Sequence, residues 1–320
     1  MPLSVLKLLS HDRFQSGEVL SRILGLSRAS VHNLVERARE MGVEVHAVRG
    51  RGYRLAEPCS WLDSARLANG GVGFVVEVHG QLVSTNSHVL EIAQRGGPHK
   101  HVTVTEIQSA GRGRRGRAWL AQLGGGLTFS LLWRFRRPLT ALSGLSLVVG
   151  LGLARALHRI GVSAARVKWP NDILVDDAKL AGILIETQGD MLGDAVAVIG
   201  IGLNVRAGKA LHSRVENRLT SLADLMDDVP DRNDLLLAIL KELDAVLIDF
   251  DAGGFPPFAE EWQAWHAWQE RRVYVQGMGQ GVLEGVAAGV DKTGALRVVT
   301  SAGERLVHSG EVSLRLGSGA

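Results

Sequence analysis

The sequence predicts a three-part α+β chain: a winged helix-turn-helix over residues 1–57, a central mixed-sheet domain over 61–270 and a small β-barrel over 271–320. Three observations carry that expectation. Helix and hairpin patterns follow one another in a fixed order through the first 55 residues. Strand-like and helix-like stretches then mix as far as residue 270. From Arg271 onward short strands are broken by Gly277, Gly281, Gly289, Gly294 and Gly303, as in a small barrel.

The first part reads element by element. Residues 3–9 are apolar with helical character. Ser16-Gly17-Glu18 introduces a second short helix ending near Leu24, where Gly25 breaks it. Ser27 caps a third, because its hydroxyl accepts from the free N–H groups of a first turn. Val31, Leu34, Val35, Ala38 and Met41 form one apolar stripe at helical spacing, and Gly42 ends the helix. Residues 43–48 alternate like a strand, Arg49-Gly50-Arg51-Gly52 turns, and Tyr53-Arg54-Leu55 resumes the strand. The third helix of such a module enters the DNA major groove. The stripe faces inward, leaving Arg28, His32, Asn33 and Arg39 outward, with Arg49, Arg51 and Arg54 on or near the wing. Wing arginines suit phosphates, which position a protein without reading sequence. A small helical protein–protein module is the other reading.

Pro58 stops regular structure in the linker Ala56-Glu57-Pro58-Cys59. Beyond it, 74–78, 101–108, 127–135 and 196–205 read as strands, 173–175 and 181–187 as a hairpin, and 142–160 and 234–250 as helices.

Composition narrows the class. Apolar residues make up 46 % and charged residues 22 %, as in an ordinary globular protein. The net charge is +3, but residues 1–55 hold nine Lys and Arg against five Asp and Glu, and the rest holds 27 against 28. A basic module on a near-neutral body suits a polyanion, although charge alone fits a solvated surface equally well. Cys59 is the single cysteine, which excludes an intrachain disulfide and a cysteine zinc cluster and fits a reducing cytoplasm. No metal-ligating set of side chains is expected. His11, Asp12 and Arg13 interrupt the apolar start, unlike a signal peptide. The most apolar stretch, 142–157, falls short of the roughly 20 residues a membrane span requires and reads as a buried helix.

The chemistry concentrates in Gly111-Arg112-Gly113-Arg114-Arg115-Gly116-Arg117. Glycines let backbone fold closely around a ligand, and arginines offer forked donors to carboxylate and phosphate. Gly111, Gly113 and Gly116 match the dinucleotide fingerprint in spacing, but no helical pattern follows, so that reading is rejected. No Gly-Lys-Ser/Thr closes a Walker loop, and a basic nucleic-acid patch stays open as an alternative. Lys168-Trp169-Pro170-Asn171-Asp172 ends a strand with a compact cation, which is a plain solvated lysine on the simpler reading. Lys179-Leu180-Ala181-Gly182-Ile183-Leu184 and Gly200-Ile201-Gly202-Leu203-Asn204-Val205 carry strand glycines of the kind that mark close backbone approach to a ligand. Ser84-Thr85-Asn86 precedes a helix and either caps it or also binds a small polar ligand.

In this order, and with the terminal Gly310-Glu311-Val312-Ser313-Leu314-Arg315, these motifs resemble the bifunctional biotin–protein ligases that also repress the biotin operon. The resemblance covers essentially the whole chain and implies an SH3-like form for the terminal barrel. It implies an enzyme that uses biotin, ATP and Mg2+ to form biotinyl-5'-adenylate, then biotinylates a lysine of the biotin carboxyl carrier protein of acetyl-CoA carboxylase. The adenylate would also act as corepressor on operator DNA, through a ligand-promoted homodimer in the cytoplasm, with no membrane partner. Carried over by residue, Ser84, Thr85, Asn86 and Gln108 would meet the fused rings of biotin. Arg112, Gly113 and Arg114 would close over the ligand, with Lys168 beside the carboxylate; Lys168 and Arg114 are the catalytic candidates. Arg117, Trp119, Asn171, Asn204 and Arg315 would serve the adenylate, and Ile183 and Ile185 would wall the pocket. Residues 206–232, including Arg214, Glu216 and Asn217, match nothing clear. A lipoate–protein ligase, a biotin sensor without ligase activity, and an enzyme with a vestigial winged helix remain as alternatives.

Overall fold

The computed structural model describes residues 2–189, 193–208, 211, 218–277, 280–310 and 312–317, so Arg214, Glu216 and Asn217 lie outside the described residues. The chain opens with α1 (Leu3–Leu6), α2 (Gly17–Leu24) and α3 (Arg28–Glu40), followed by an antiparallel hairpin of β1 (Val45–Val48) and β2 (Gly52–Leu55). α1 stops three residues short of the expected Leu9. Ser16 and Ser27 cap α2 and α3 by accepting from Val19 N and Ser30 N, and Gly25 ends α2 in the left-handed region at φ 65°. Val31, Val35 and Ala38 are fully buried, with Leu34 and Met41 packed beside them.

The central sheet has seven strands: β3 (Val75–His79), β4 (His101–Thr105), β5 (Gly126–Phe135), β6 (Arg166–Lys168), β7 (Asp172–Val175), β8 (Ala178–Gly189) and β9 (Ala195–Asn204). Their order is β3-β4-β5-β9-β8-β7-β6; β3 and β4 are parallel and every other pair is antiparallel. Helices α4 (Ser64–Ala68), α5 (Thr85–Gln94), α6 (Leu145–Arg159), α7 (Leu222–Leu225), α8 (Arg232–Gly253) and α9 (Ala259–Ala264) surround it. Strand alternation assigns the two faces. Leu131 and Ile199 join the large core with α6 and α8, whereas Leu132 and Val198 pack with Val89 of α5. Residues 145–157 of the apolar 142–157 stretch form the buried body of α6, and among the described residues no helix is long and apolar enough to cross a membrane.

Arg232, 1 % exposed, donates to Glu106 Oε2 at 2.5 Å, to Gly126 O and to Ser60 O, while Leu62 N donates to Glu106 Oε1. This buried pair fastens the segment after the winged helix onto the sheet.

The C-terminal part is a five-stranded antiparallel sheet, β10 (Arg272–Gly277), β11 (Gln280–Val290), β12 (Leu296–Thr300), β13 (Gly303–Val307) and β14 (Val312–Leu316), in the order β13-β12-β11-β10-β14. Its β11–β12 turn docks on the central domain: Trp169, fully buried, donates from Nε1 to Gly294 O at 3.1 Å, and Ser143 Oγ donates to Thr293 O.

Candidate functional site

The α5 face of the sheet gathers nearly all the motifs. Register puts Ser130 (β5), Gly200 and Gly202 (β9), Gly182, Leu184 and Glu186 (β8), Asp172 (β7) and Lys168 (β6) in adjoining rows of that face. Ser84 caps α5, and Thr85 and Asn86 follow it, all at most 4 % exposed. Ser130 Oγ lies 2.7 Å from Thr85 Oγ1 and 2.6 Å from Asn86 Oδ1. Gln108 Oε1 accepts from Thr85 N at 2.7 Å and from Thr85 Oγ1 at 3.2 Å. Asn86 Nδ2 donates to Leu184 O and, at 2.7 Å, to Glu186 Oε2. The triplet therefore does more than cap. Gly200 is required here, because a Cβ would come within 2.1 Å of Asn86 Oδ1.

Arg112 Nη2 donates to the same Glu186 oxygen at 2.9 Å, which joins this network to the arginine loop. The loop is pinched by Gly113 N donating to Arg117 O and by Trp119 N donating to Gly111 O. A single 3-10 turn, Arg114–Gly116, fills it, with Arg115 and Gly116 at φ 58° and 70°. The helix that a dinucleotide fingerprint needs is absent there. Residues 110–118 enclose a cavity of about 550 Å³ whose other walls are Leu184, Glu186 and Gly310. Arg114 reaches from it to Asn171 Oδ1 at 3.3 Å and to the carbonyls of Ser309 and Gly310. Burial lowers the pKa of Arg114, with the Asp172 carboxylate opposing. Ile183 and Ile185 do not wall this cavity. Alternation turns them to the opposite face, where Ile183 packs toward Gly150 of α6, and Leu184 takes the wall.

Beyond Arg114 lie two ammonium groups on one buried carboxylate. Asp172 is 2.6 Å from Lys179 Nζ and 3.6 Å from Lys168 Nζ. Burial alone would raise the Asp172 pKa, but the two lysines bring it below the usual carboxylate value. Lys168, 18 % exposed at its side chain, sits 4.4 Å over the Trp268 ring, and burial lowers its pKa below the ordinary 10.5. The strand-end lysine is thus no free solvated cation, and it lies behind the cavity rather than on its wall. The Trp119 indole covers the cross-strand pair Gly182–Gly202, where Cβ atoms would fall 3.2 and 2.2 Å from the ring. Those glycines admit Trp119 itself. Trp119 Nε1 is buried with no hydrogen-bond partner. Asn171 Nδ2 donates to Ile183 O, and Asn204 Nδ2 braces Lys179 O and Thr220 O. Arg315 is exposed on β14, and among the described residues Gly310 lines the cavity from the C-terminal part. Sequence reasoning missed Ser130, Glu186, Asp172 and Lys179 as members of this site. The latter two lay inside motifs already singled out.

In the winged helix, Arg28, His32, Asn33, Arg49 and Arg51 are all exposed. His32 stands 3.5 Å from Tyr53 Oη, and the Arg51 guanidinium stacks 4.5 Å over Phe14. Arg39 is exposed, as expected, and its guanidinium also braces the wing by donating to Val45 O. Leu123, a few residues past Trp119, belongs to the winged-helix core with Val43 and Val45. One segment therefore touches both the ligand loop and the basic module.

Comparisons with known proteins agree with this architecture. Residues 79–204 match the biotin/lipoate A/B protein ligase family, residues 3–54 an HTH domain and residues 270–315 the biotin protein ligase C-terminal domain. The chain is 36 % identical to the bifunctional ligase/repressor BirA of Escherichia coli, over 98 % of this chain and 97 % of that one. It is 34 % identical to the biotin–[acetyl-CoA-carboxylase] ligase of Mycobacterium tuberculosis, over 73 % of this chain and 88 % of that protein. Among solved structures, the Aquifex aeolicus biotin protein ligase in complex with biotin and ATP superposes with a TM-score of 0.65 at 28 % identity, covering 76 % of this chain and 99 % of that one.

Proposed function

Because the chain belongs to the bifunctional ligase/repressor family of biotin–protein ligases, we propose that it is an ATP-dependent biotin–[acetyl-CoA-carboxylase] ligase that also represses transcription. The observation that carries this reading is the junction, through Glu186, of a buried uncharged network with an arginine-lined cavity. Biotin has the matching shape, with a neutral ring system at one end and a carboxylate at the other.

The carboxylate attacks the α-phosphorus of ATP, pyrophosphate leaves, and the ε-amine of a carrier-protein lysine then attacks the acyl carbon and releases AMP. Two anions must meet in the first step. Arg114 and Lys168 screen that repulsion and stabilise the charge that develops, and positioning supplies much of the remaining acceleration. Ser84, Thr85, Asn86 and Gln108 hold the rings, Arg112 and Gly113 close over the chain, and Arg117, Trp119 and Asn171 serve the adenylate. The unpartnered Trp119 Nε1 supports the last assignment. Mg2+ would supply charge neutralisation for the departing phosphates. Glu186 and Asp172 are already engaged by Arg112 and the two lysines, so phosphate oxygens and water fit as its main ligands. The acceptor is the biotin carboxyl carrier protein, in the cytoplasm. The adenylate also acts as corepressor, ordering a homodimer whose paired winged helices meet a two-fold operator. The exposed Arg28, Asn33, Arg49 and Arg51 support that part.

Pyrophosphate release with ATP and magnesium tests the enzyme. Release with biotin and not with lipoate is expected; release with lipoate alone or with neither acid would overturn the reading. A mobility shift on the chain's own upstream DNA, seen only with biotin and ATP, tests the repressor.

A further inference from the structure

The sheet edge beside α5 holds a group of side chains that the ligase reaction does not use. Glu77 and His79 lie on β3, His88 on α5 and His101 on β4. Glu77 Oε1 is 2.8 Å from His79 Nε2, and Oε2 is 3.3 Å from His88 Nε2 and 3.4 Å from His101 Nε2. One ligand atom each from Glu77, His79 and His88 falls within 4.8 Å of the others. Tetrahedral zinc with bonds of about 2.1 Å holds neighbouring ligand atoms about 3.4 Å apart, so small side-chain shifts close this set on an ion. His79 Nε2 is buried and makes no well-formed hydrogen bond, despite its nearness to Glu77. His79 also borders a cleft of about 520 Å³ between α1 and the central domain, together with Lys7, Asp63 and Gly80. Imidazoles with one carboxylate are donors suited to a zinc-class cation rather than to calcium or magnesium.

We propose that Glu77, His79 and His88, with His101, whose Nε2 now shares a hydrogen bond with Thr103 Oγ1, as a fourth donor, form a site for a divalent transition-metal ion of the zinc class. It is separate from the biotin and ATP cleft. Its ligands stand on either side of the 80–84 segment, and His88 N bonds Ser84 O at the first turn of α5. A bound ion therefore ties β3 to the helix whose start carries Thr85 and Asn86.

The test uses untagged, chelator-treated full-length protein titrated at neutral pH with zinc, and separately with cobalt. One equivalent of zinc should bind and raise Tm. Cobalt at the same site should give the strong visible absorption of a four-coordinate complex. Glu77→Gln and His79→Gln should each weaken binding by at least about tenfold, since loss of a mere supporting partner of a ligand already costs that much. Circular dichroism and biotin-dependent pyrophosphate release in both variants establish that they are folded. Absence of a bound equivalent in the wild-type chain, or an equivalent that both folded variants retain at full affinity, would overturn the proposal.

Discussion

The start of α5 and the arginine loop border the same stretch of sheet, but they are built on opposite terms. Around Thr85 and Asn86 the side chains are buried, and each polar atom is held by Ser130, Gln108, Leu184 or Glu186. In the loop, Arg112, Arg115 and Arg117 are exposed, and Arg114 leans across to carbonyls of the C-terminal sheet. A satisfied buried network specifies one arrangement and recognises a neutral group by shape. Exposed guanidiniums keep their donors for an anion that arrives later. On the proposed function, the cleft has one half prepared before the ligand and one half completed by it.

Substitutions at three positions break that comparison in different places, and one in the winged helix tests the basic module. Lys168→Ala removes a cation from the reacting end and should slow adenylation by about 10²–10³-fold with biotin affinity nearly unchanged, read by single-turnover pyrophosphate release. Burial lowers the Lys168 pKa, so its ammonium is lost as pH rises at a lower value than the ordinary 10.5. Adenylation should fall on that alkaline limb, and Lys168→Arg should move the limb upward. A limb that neither substitution shifts would remove Lys168 from the step.

Arg114→Ala cuts the contacts to Asn171, Ser309 and Gly310. It should let adenylate escape at least about tenfold faster, seen as label on non-acceptor lysines. Retention as tight as wild type would contradict the role of the loop as the closing half. Gly200→Ala pushes a methyl group against Asn86 and should weaken biotin binding about tenfold by calorimetry, as one displaced buried hydrogen bond costs. The adenylate keeps the same rings, so its escape should rise by no more than that factor, below the effect of Arg114→Ala relative to biotin affinity. The smallest effect belongs to the basic module. Arg51→Ala should reduce the salt-dependence slope of DNA binding by about one; an unchanged slope would mean that Arg51 meets no phosphate.

What the sequence disclosed follows the same division. The loop was legible because its chemistry lies in seven consecutive residues, and the winged helix because capping serines and a 3.6-residue stripe are local signals. The prepared half depends on residues far apart in the chain. Ser130 is one serine in an apolar strand, and only the pairing of β5 with its neighbours brings it under Asn86. Ile183 and Ile185 looked like pocket walls because the strand was right and its facing was not; a one-residue change of phase turns every side chain over. Gly182, Gly200 and Gly202 signalled close approach correctly, but what approaches is Trp119 and Asn86. Glu77, His79, His88 and His101 gather across two strands and a helix, with no spacing to betray them.

The division itself is best tested by amide hydrogen exchange of the full-length protein, free and with biotin, ATP and magnesium. Protection should rise across residues 111–118, with little change at 84–94 and 198–203, which are already slow in the free protein. Exchange at 84–94 that is fast in the free protein and slows on binding to the same degree as the loop would contradict the account, because both halves would then be assembled by the ligand.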